Sequence, residues 1–355
     1  MRVKLEDVCE KESSKLKQSD VIDQNGVYPV YGASGYLGNI NTYQQSNYYI
    51  AVVKDGAGIG RTMLLPPESS IIGTMQYLIP KDNVLPEYLY YVVKAKHLEK
   101  YFSGATIPHI YFKDYKNEQF DLVSFEEQRE IINRLKKIEI IIDNLSKNLL
   151  LLDELVKARF VEMFGDPVVN DKKWEIRYFS DLGELKRGKS KHRPRNDPIL
   201  LGGKYPLIQT GDVTNSNTYI KLYTSTYSEE GLKQSKMWKK GTLCITIAAN
   251  IAESAILTFD ACFPDSVVGF TPNGEVISLF IHYWLSFLQP ILEENAPAVA
   301  QKNLNVATLE KVGVIVPPLE LQNQFASFVQ EIDKSRLHEH LSIEYIKLLL
   351  KDYYP

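Results

Sequence analysis

Residues 131–156 read IINRLKKIEIIIDNLSKNLLLLDELV, and their apolar side chains return at alternating intervals of four and three residues. This interval is the heptad seam of a coiled coil, in which one face of a long helix packs against another helix. Lysines lie off the seam and GDP at 165–167 is a stop signal, so we predict one helix over about 126–164. The seam residues are Ile131, Leu135, Ile138, Ile142, Leu145, Leu149, Leu152 and Val156.

A second heptad seam, within residues 325–350, supplies a partner for this helix. It contains two polar positions, Arg336 and Glu339, which are expected to set the register at some cost in stability. If each helix leaves its own globular unit and returns beside the other, the two form an intramolecular antiparallel coiled coil. The alternative is that each helix packs only on its own domain. The apolar positions of the second seam are Phe325, Val329, Ile332, Ile343, Ile346 and Leu350.

The sequence also repeats itself, and each copy ends in one of these helices. Residues 53–64 (VKDGAGIGRTML) align with 245–256 (ITIAANIAESAI), and FEEQ at 125–128 aligns with LELQ at 319–322. The offset between equivalent residues grows along the chain, so the second copy contains insertions. Two copies are too few for a solenoid. The duplication therefore indicates internal pseudo-two-fold symmetry, which suits a target in two parts.

Composition separates the helices from two globular domains. Residues 1–124 and 165–318 are rich in Tyr, Thr, Ile, Val, Gly and Asn, with β-like runs such as NYYIAVV at 47–53. Each domain also has one helical stretch. We therefore predict an α+β fold with a first β-rich domain over 1–124, a central spacer helix over 125–164, a second β-rich domain over 165–318 and a C-terminal spacer helix over 319–355.

Composition and charge exclude several classes of protein. The chain has 355 residues, of which 44% are hydrophobic and 24% charged, as in ordinary globular domains. No apolar run approaches the roughly 20 residues of a membrane span, and no secretion signal is recognised, so the cytoplasm is the expected location. The 3 cysteines lack metal-binding spacing. A formal net charge of −3 gives no general attraction to nucleic acid, so any DNA binding requires local basic segments.

One local basic segment overlaps a nucleotide-binding pattern. GELKRGKS at 183–190 matches the P-loop pattern letter for letter, but Pro194 and Pro198 discourage the helix that must follow a phosphate cradle. The favoured interpretation is a flexible segment whose cations neutralise successive phosphates of a nucleic acid. A P-loop NTPase and a solvated loop that binds nothing are the alternatives. The cations are Lys186, Arg187, Lys189, Lys191, Arg193 and Arg195.

Polar and aromatic residues crowd the turns of both copies. Asn, Gln, Lys and Arg side chains can read base edges, and Ser and Thr side chains can hold phosphates. The sequence has no nucleophile elbow, HExxH zinc motif or amino-methyltransferase motif, so catalysis and metal binding by this chain are not expected. The remaining candidate DNA contacts are Tyr31, Ser34, Tyr36, Lys54, Arg61, Thr106, His109, Tyr111 and Lys113 in the first copy, and Gln209, Thr210, Gln301, Lys302 and Asn303 in the second.

The whole pattern resembles the specificity (S) subunits of type I restriction-modification systems, across essentially the full chain. The likeness rests on FEEQREI at the start of the first helix, 125–131, on PPLELQ at the start of the second, 317–322, and on ARFVEMFGDP at 158–167. The first helix start lacks the Pro-Pro-Leu of the second, which is a departure from the pattern. The resemblance implies two target-recognition domains that each read half of a split DNA sequence, with two antiparallel spacer helices that set the gap.

The same resemblance implies partners and no catalysis by this chain. Two modification subunits are expected to dock against the spacer helices and domains, to bind S-adenosylmethionine and to methylate adenine. Restriction subunits that use ATP and Mg²⁺ are a further expectation, and this chain itself is expected to bind no cofactor. A P-loop NTPase and a coiled-coil scaffold that binds no DNA are the competing hypotheses.

Overall fold

The structure, a computed structural model, divides into two compact units. It describes residues 1–22, 24–104, 108–248, 250–294 and 304–353, with side chains up to residue 350. The first unit comprises Met1–Lys147 and Glu339–Pro355, and the second comprises Asn148–His338. The division falls inside both long helices, so each unit contains one globular domain and a part of each helix.

The first unit begins with a β-rich domain and continues into the first long helix. Its strands are β1 (Arg2–Lys4), β2 (Cys9–Ser13), β3 (Tyr28–Gly32), β4 (Gly35–Ile40), β5 (Tyr49–Val53), β6 (Thr62–Leu65), β7 (Ser70–Ile71), β8 (Met75–Pro80) and β9 (Gln119–Asp121). Its α-helices are α1 (Leu5–Val8), α2 (Pro86–Ala95), α3 (Phe112–Tyr115) and α4 (Phe125–Phe164), the last of which runs on into the second unit.

The core of this domain lies between a four-stranded sheet and helix α2. The sheet has the order β2-β8-β5-β6, and neighbouring strands are antiparallel. All residues of β5 are buried, because an unbroken apolar run in the middle of a sheet packs on both faces. Leu89 and Val92 of α2 cluster with Ile50 and Val52 of β5. Two smaller sheets, β4-β3-β7 and β1-β9, complete the domain.

The second unit contains the second β-rich domain and the start of the second long helix. Its strands are β10 (Ile176–Tyr178), β11 (Gly183–Arg187), β12 (Leu201–Leu207), β13 (Tyr219–Ile220), β14 (Ser225–Tyr227), β15 (Met237–Trp238), β16 (Leu243–Thr246), β17 (Ser254–Leu257), β18 (Ala261–Cys262), β19 (Val267–Pro272) and β20 (Gly313–Ile315). Its α-helices are α5 (Thr210–Thr214), α6 (Glu229–Lys233), α7 (Ser278–Glu294), α8 (Val306–Glu310) and α9 (Leu319–Tyr353).

The second domain repeats the topology of the first. Its main sheet contains β11-β19-β16-β17, which follows the order of β2-β8-β5-β6, and the group β14-β12-β18 follows β4-β3-β7. The second copy has additional strands, since β13 pairs with β17 and β15 pairs with β18. The predicted duplication, with insertions in the second copy, is therefore confirmed.

Local hydrogen bonds define both ends of α4. Ser124 and Glu127 form a capping box, in which Ser124 N donates to Glu127 Oε2 at 3.1 Å and Glu127 N donates to Ser124 Oγ at 3.3 Å. At the other end, Gly165 has a φ of +78° and its N–H donates to Val161 O at 2.7 Å. A glycine in this conformation ends a helix at little steric cost.

A buried glutamine fastens the start of each long helix to its domain. Gln128 Oε1 accepts the N–H of Leu85, the residue before α2, at 2.8 Å, and Gln128 Nε2 donates to Val123 O at 3.0 Å. In the second copy, Gln322 Oε1 accepts the N–H of Ile277, the residue before α7, at 3.0 Å. The repeated FEEQ and LELQ sequences thus have the same structural role.

Within each unit, the two long helices pack side by side in antiparallel directions. In the second unit, the rings of Phe160 and Phe325 lie 5.4 Å apart, and Arg336 Nη2 lies 2.5 Å from Asp153 Oδ1. Later residues of α9 therefore contact earlier residues of α4, as in an antiparallel pair. In the first unit, Leu350 near the end of α9 shares a cluster with Leu135 near the start of α4.

All heptad seam positions of both helices are buried or partly buried. The helices also contact their domains, since Phe160 stacks on Phe280 of α7 with ring centroids 5.5 Å apart. The alternative that each helix packs only on its own domain is therefore wrong. The predicted α+β class, with two β-rich domains and two long helices in antiparallel contact, is confirmed.

Candidate nucleic-acid interface

In the first domain, a bulged hairpin between β5 and β6 carries two predicted contact residues, Lys54 and Arg61. Val53 N donates to Arg61 O and Gly60 N donates to Val53 O, both at 2.9 Å, so two residues of one strand face one of the other. Gly60 has a φ of +81°, and a Cβ there would lie 2.6 Å from Glu99 N. Glycine is therefore required for this turn, which holds Lys54 and Arg61 near each other.

Charged and aromatic residues gather around Lys54. Lys54 forms an ion pair with Asp55, whose Oδ1 lies 2.7 Å from His109 Nδ1. Partial burial acts to raise the pKa of the Asp55 carboxyl, but hydrogen bonds from Lys54 and His109 hold this pKa below its usual value. The His109 ring stacks on Tyr111 at 6.3 Å, and Lys113 Nζ lies 5.3 Å from the Tyr111 ring. Four predicted contact residues thus form one surface group.

The turn between β3 and β4 holds the other predicted residues of the first domain. Arg61 Nη1 donates to Ala33 O at 2.7 Å, which ties this turn to the bulged hairpin. Tyr31 and Tyr36 meet edge to face with ring centroids 6.2 Å apart, and Ser34 is exposed between them in the chain. The two groups offer cations and aromatic rings on adjoining turns. The remaining candidate, Thr106, lies outside the described residues.

In the second domain, the P-loop-like sequence at 183–190 forms a strand in place of a phosphate cradle. Gly183–Arg187 is β11, which pairs with β19, and Gly188 N donates to Val267 O at 2.8 Å. A Cβ at Gly188 would lie 2.2 Å from Phe263 O, so this glycine serves close backbone packing. No helix begins in the described residues 191–197. A P-loop needs a helix there, so the nucleotide-binding alternative is wrong.

The cations of the basic segment, residues 186–195, fall into two classes. Lys186 pairs with Glu184, and Asp265 holds both Arg195 and Arg193, whose Nη2 lies 3.5 Å from Asp265 Oδ2. The remaining cations are exposed and form no ion pair with any residue that the structure describes. These available cations are Arg187, Lys189 and Lys191.

The basic segment lies next to Gln209 and Thr210, and together they line a cleft of about 340 Å³. Arg195 and Ser190 line this cleft together with both residues. Ser190 is only 6% exposed, and its Oγ has no hydrogen-bond partner within the described part of the chain. An amide, a hydroxyl and a guanidinium therefore converge on one concave surface. The candidates Gln301, Lys302 and Asn303 lie outside the described residues.

Two residues that shape this surface were not foreseen from the sequence. Gln234 Oε1 accepts the backbone N–H groups of Lys191 and His192 at 2.6 and 3.1 Å, which fixes the path of the basic segment. Asp265 anchors two arginines from a distant part of the sequence. Neither residue belongs to a motif, so the sequence contains no signal for them.

Each unit also exposes an apolar set on its part of the long helices, away from the seam. In the first unit, Leu341 is 61% exposed, and in the second unit Leu151 is 59% exposed. A signal existed in the sequence, since Leu341, Tyr345 and Leu348 follow one another at helical spacing beside the seam. The first set comprises Ile140, Ile141, Leu341, Tyr345, Leu348 and Leu349, and the second comprises Leu150, Leu151, Leu155, Val161 and Leu337.

The cysteines in the described part of the chain are buried, and its potential metal ligands are dispersed. Cys9, Cys244 and Cys262 are free and buried, and burial raises the pKa of the Cys9 thiol to about 12. The described His, Cys, Asp and Glu side chains form no cluster that could hold a metal ion. The described helices include none with the length and hydropathy of a membrane span.

Comparisons with known proteins agree on one family. The profile of the type I restriction modification DNA specificity domain matches residues 1–151 and again 171–345. The MjaIX specificity subunit of a type I restriction enzyme from Methanocaldococcus jannaschii is 23% identical over 76% of this chain and 67% of its own length. A second protein of that organism, MjaX, is 24% identical over 71% of this chain and 62% of its own length.

Solved structures share the fold. The S subunit of a type I restriction-modification system from M. genitalium aligns over 100% of this chain and 96% of its own, with a TM-score of 0.57 and 16% identity. A chain from a structural study of assembly and conformational transition of the type I system aligns over the same shares, with a TM-score of 0.64 and 14% identity. With one profile match in each copy of the repeat, this chain belongs to the family of type I restriction-modification DNA specificity subunits.

Proposed function

We propose that this chain recognises DNA for a type I restriction-modification complex and that each domain reads one half of a split target. The observation that carries the proposal is the duplicated topology, in which each domain presents cations beside polar or aromatic side chains. Such groups suit DNA, because cations neutralise phosphates while amides and hydroxyls read base edges. The chain has no catalytic role in this proposal.

The proposed contacts divide by chemistry. Phosphates are contacted by Lys54, Arg61 and Lys113 in the first domain and by the basic segment and Lys302 in the second. Bases are read by the polar and aromatic candidates of the same domain, because phosphate contacts hold a domain in register with the groove. These readers are Tyr31, Ser34, Tyr36, Thr106, His109, Tyr111, Gln209, Thr210, Gln301 and Asn303.

The proposed division of labour follows the chain. Residues 1–124 and 165–318 are the two target-recognition domains, and residues 125–164 and 319–355 are the spacer helices. The helices are proposed to set the gap between the half-sites, since both take part in the heptad seams.

Two modification subunits are the proposed partners, one for each exposed apolar set. Clusters of exposed apolar residues mark protein interaction surfaces, and each unit exposes several apolar side chains on its helices. The modification subunits supply S-adenosylmethionine and the methyl transfer to adenine, and restriction subunits supply ATP and Mg²⁺ where they join. This chain supplies the DNA sequence preference and binds no cofactor itself.

The proposal is tested by selecting duplexes from a random-sequence library with the purified complex of this chain and its modification subunit. The expected result is two short specified blocks separated by an unspecified gap of fixed length. His109→Ala should relax one block only, with Lys334→Ala on the exposed face of α9 as the matched control. A scaffold without DNA-binding activity would enrich no sequence, and that result would contradict the proposal.

A further inference from the structure

The main sheet of the first domain has an uncovered edge at β6. In the order β2-β8-β5-β6, β6 is the last strand, and the described residues add no strand beyond it. Val53 hydrogen-bonds with Gly60 and Arg61, so alternation along this antiparallel pair turns the backbone groups of Thr62 and Leu64 away from β5. An edge of this kind is a template for another strand.

The second domain covers the same edge with a strand of its own. β17 is the counterpart of β6, and β13 pairs with it in parallel, with Tyr219 opposite Ile256. The N–H of Ile256 donates to Thr218 O at 2.9 Å. Ile256 aligns with Leu64, so the outward N–H of Leu64 is the equivalent donor. The described residues of the first unit contain no strand equivalent to β13 that could accept it.

A difference in the length of one connection explains why only one domain covers its edge. Residues 208–224, which contain α5 and β13, join β12 to β14 in the second domain. In the first domain, only Ala33 and Ser34 join the corresponding strands β3 and β4. A groove of about 450 Å³ lies at this place, lined by Tyr31 and Tyr36 of the short hairpin and by all residues of β6.

The helix that lines the groove contains a tyrosine equivalent to the one that contacts the start of β13 in the second domain. In the second domain, Tyr283 of α7 places its hydroxyl 3.3 Å from Thr218 Oγ1, directly before β13. In the first domain, Tyr91 of α2 aligns with Tyr283 and lines the groove, where its hydroxyl donates to Glu139 at 2.8 Å. The groove therefore has both the free edge and the aromatic wall that a strand needs.

The charges around the groove favour a polypeptide over DNA. Its lining contains the carboxylates of Glu87 and Glu139 and one cation, Lys136. Glu87 pairs with Lys136 at 3.4 Å, and Glu139 pairs with Lys94 at 2.9 Å. No cation of the lining is left in excess for phosphates, whereas free backbone groups and aromatic walls suit an extended peptide.

We propose that the uncovered edge of β6 binds an extended segment of the modification subunit, which adds to the first domain as a strand parallel to β6. This inference rests on the proposed function, since it assigns the occupant to the partner named there. The groove adjoins the apolar set of the first unit, because Glu139 lines the groove and its neighbour Ile140 belongs to that set. By the precedent of Tyr219 and Ile220, the segment presents an aromatic residue followed by a β-branched residue.

A matched pair of variants at Leu64 tests the strand pairing. Leu64→Pro removes the outward N–H, whereas Leu64→Val keeps this N–H and has a side chain of similar size. Leu64→Pro should still fold, because edge strands tolerate proline where the N–H points outward. In the purified full chain, without DNA, Leu64→Pro should weaken modification-subunit binding roughly tenfold, and Leu64→Val should stay within about twofold of the original protein. Circular-dichroism melting curves of both variants establish that the comparison is made between folded proteins.

Hydrogen–deuterium exchange of the unaltered chain provides the second measurement. The amide of Leu64 should exchange quickly in the free chain and become protected in the complex, whereas the amide of Ile256 should be protected in both. A stable complex with a rapidly exchanging Leu64 amide would overturn the inference. Protection that requires added DNA, or that follows self-association of the free chain, would overturn it in favour of another occupant. Failure to bind any modification subunit would refute the proposed function itself, and this inference with it.

Discussion

The triple replacement Arg187→Ala, Lys189→Ala and Lys191→Ala tests the proposed phosphate contacts of the basic segment. These cations are exposed, and the described residues offer them no ion pair, so they are free to neutralise phosphates. The other cations of the segment already share the carboxylates of Glu184 and Asp265. The triple variant therefore removes the available charge without leaving a carboxylate unpaired.

The magnitude follows from counterion release. Each phosphate contact contributes about 0.9 to the slope of log K against log salt concentration. Loss of three contacts therefore lowers the slope by about 2.7, and between 50 and 200 mM salt the unaltered protein should lose roughly 40-fold more affinity than the variant. The effect should appear on any duplex, because phosphate contacts carry no sequence information.

The assay is fluorescence anisotropy of a labelled duplex, titrated with the purified complex over a series of salt concentrations. Lys334→Ala, on the exposed face of α9, is the control and should leave the slope unchanged. If the triple variant retained the slope of the unaltered protein, the basic segment would not contact phosphates. A change of sequence preference at constant slope would indicate base reading by these residues instead.

Three further outcomes are expected from replacements in the core and on the helices. Burial lowers the pKa of His282 to about 4, so the unfolded chain binds a proton at this residue more tightly than the folded chain does. The free energy of unfolding, measured by urea titration, should therefore fall by roughly 2 kcal/mol from pH 8 to pH 5. His282→Asn should lack this loss, and an equal loss in the variant would refute the role of His282. Gln128→Ala leaves the N–H of Leu85 without its acceptor, so the first domain should lose roughly 1–3 kcal/mol of unfolding free energy, and an unchanged denaturation midpoint would contradict the fastening role. Leu341→Glu combined with Tyr345→Glu places charge on the apolar set of the first unit, so binding of a modification subunit should weaken by more than roughly tenfold. The melting temperature should not change, and undiminished binding would rule out this surface as the docking site.

The helices were predictable because their signal is local. The spacing of Leu135, Ile138 and Ile142 indicates a seam without reference to any other part of the chain, and FEEQ and LELQ mark both helix starts. Strand order was not predictable, since β13 joins β17 through long-range pairing that no periodicity encodes. The growing offset between the copies predicted insertions, but not that one insertion covers a sheet edge in one domain only.

The candidate site was predictable in its residue types and not in its internal pairing. Lys54, His109 and Tyr111 were foreseen separately, and folding brings them together through Asp55, which lies far from His109 in the sequence. For the basic segment, the sequence indicated a cluster of cations, but ion pairs with Asp265 occupy two of them, Arg193 and Arg195. Ion pairing between distant residues depends on the tertiary structure, so charge counts along a sequence overestimate the free charge.

Each domain is proposed to read its own half of a split target. The most direct measurement is a map of methylated adenines in DNA modified by the complete complex, compared between the unaltered chain, a His109→Ala and Tyr111→Ala variant, and a Gln209→Ala and Thr210→Ala variant. We predict a two-part motif with a fixed gap, in which the first variant relaxes one half only and the second relaxes the other half only. A contiguous motif, or a motif whose two halves both change with either variant, would contradict it.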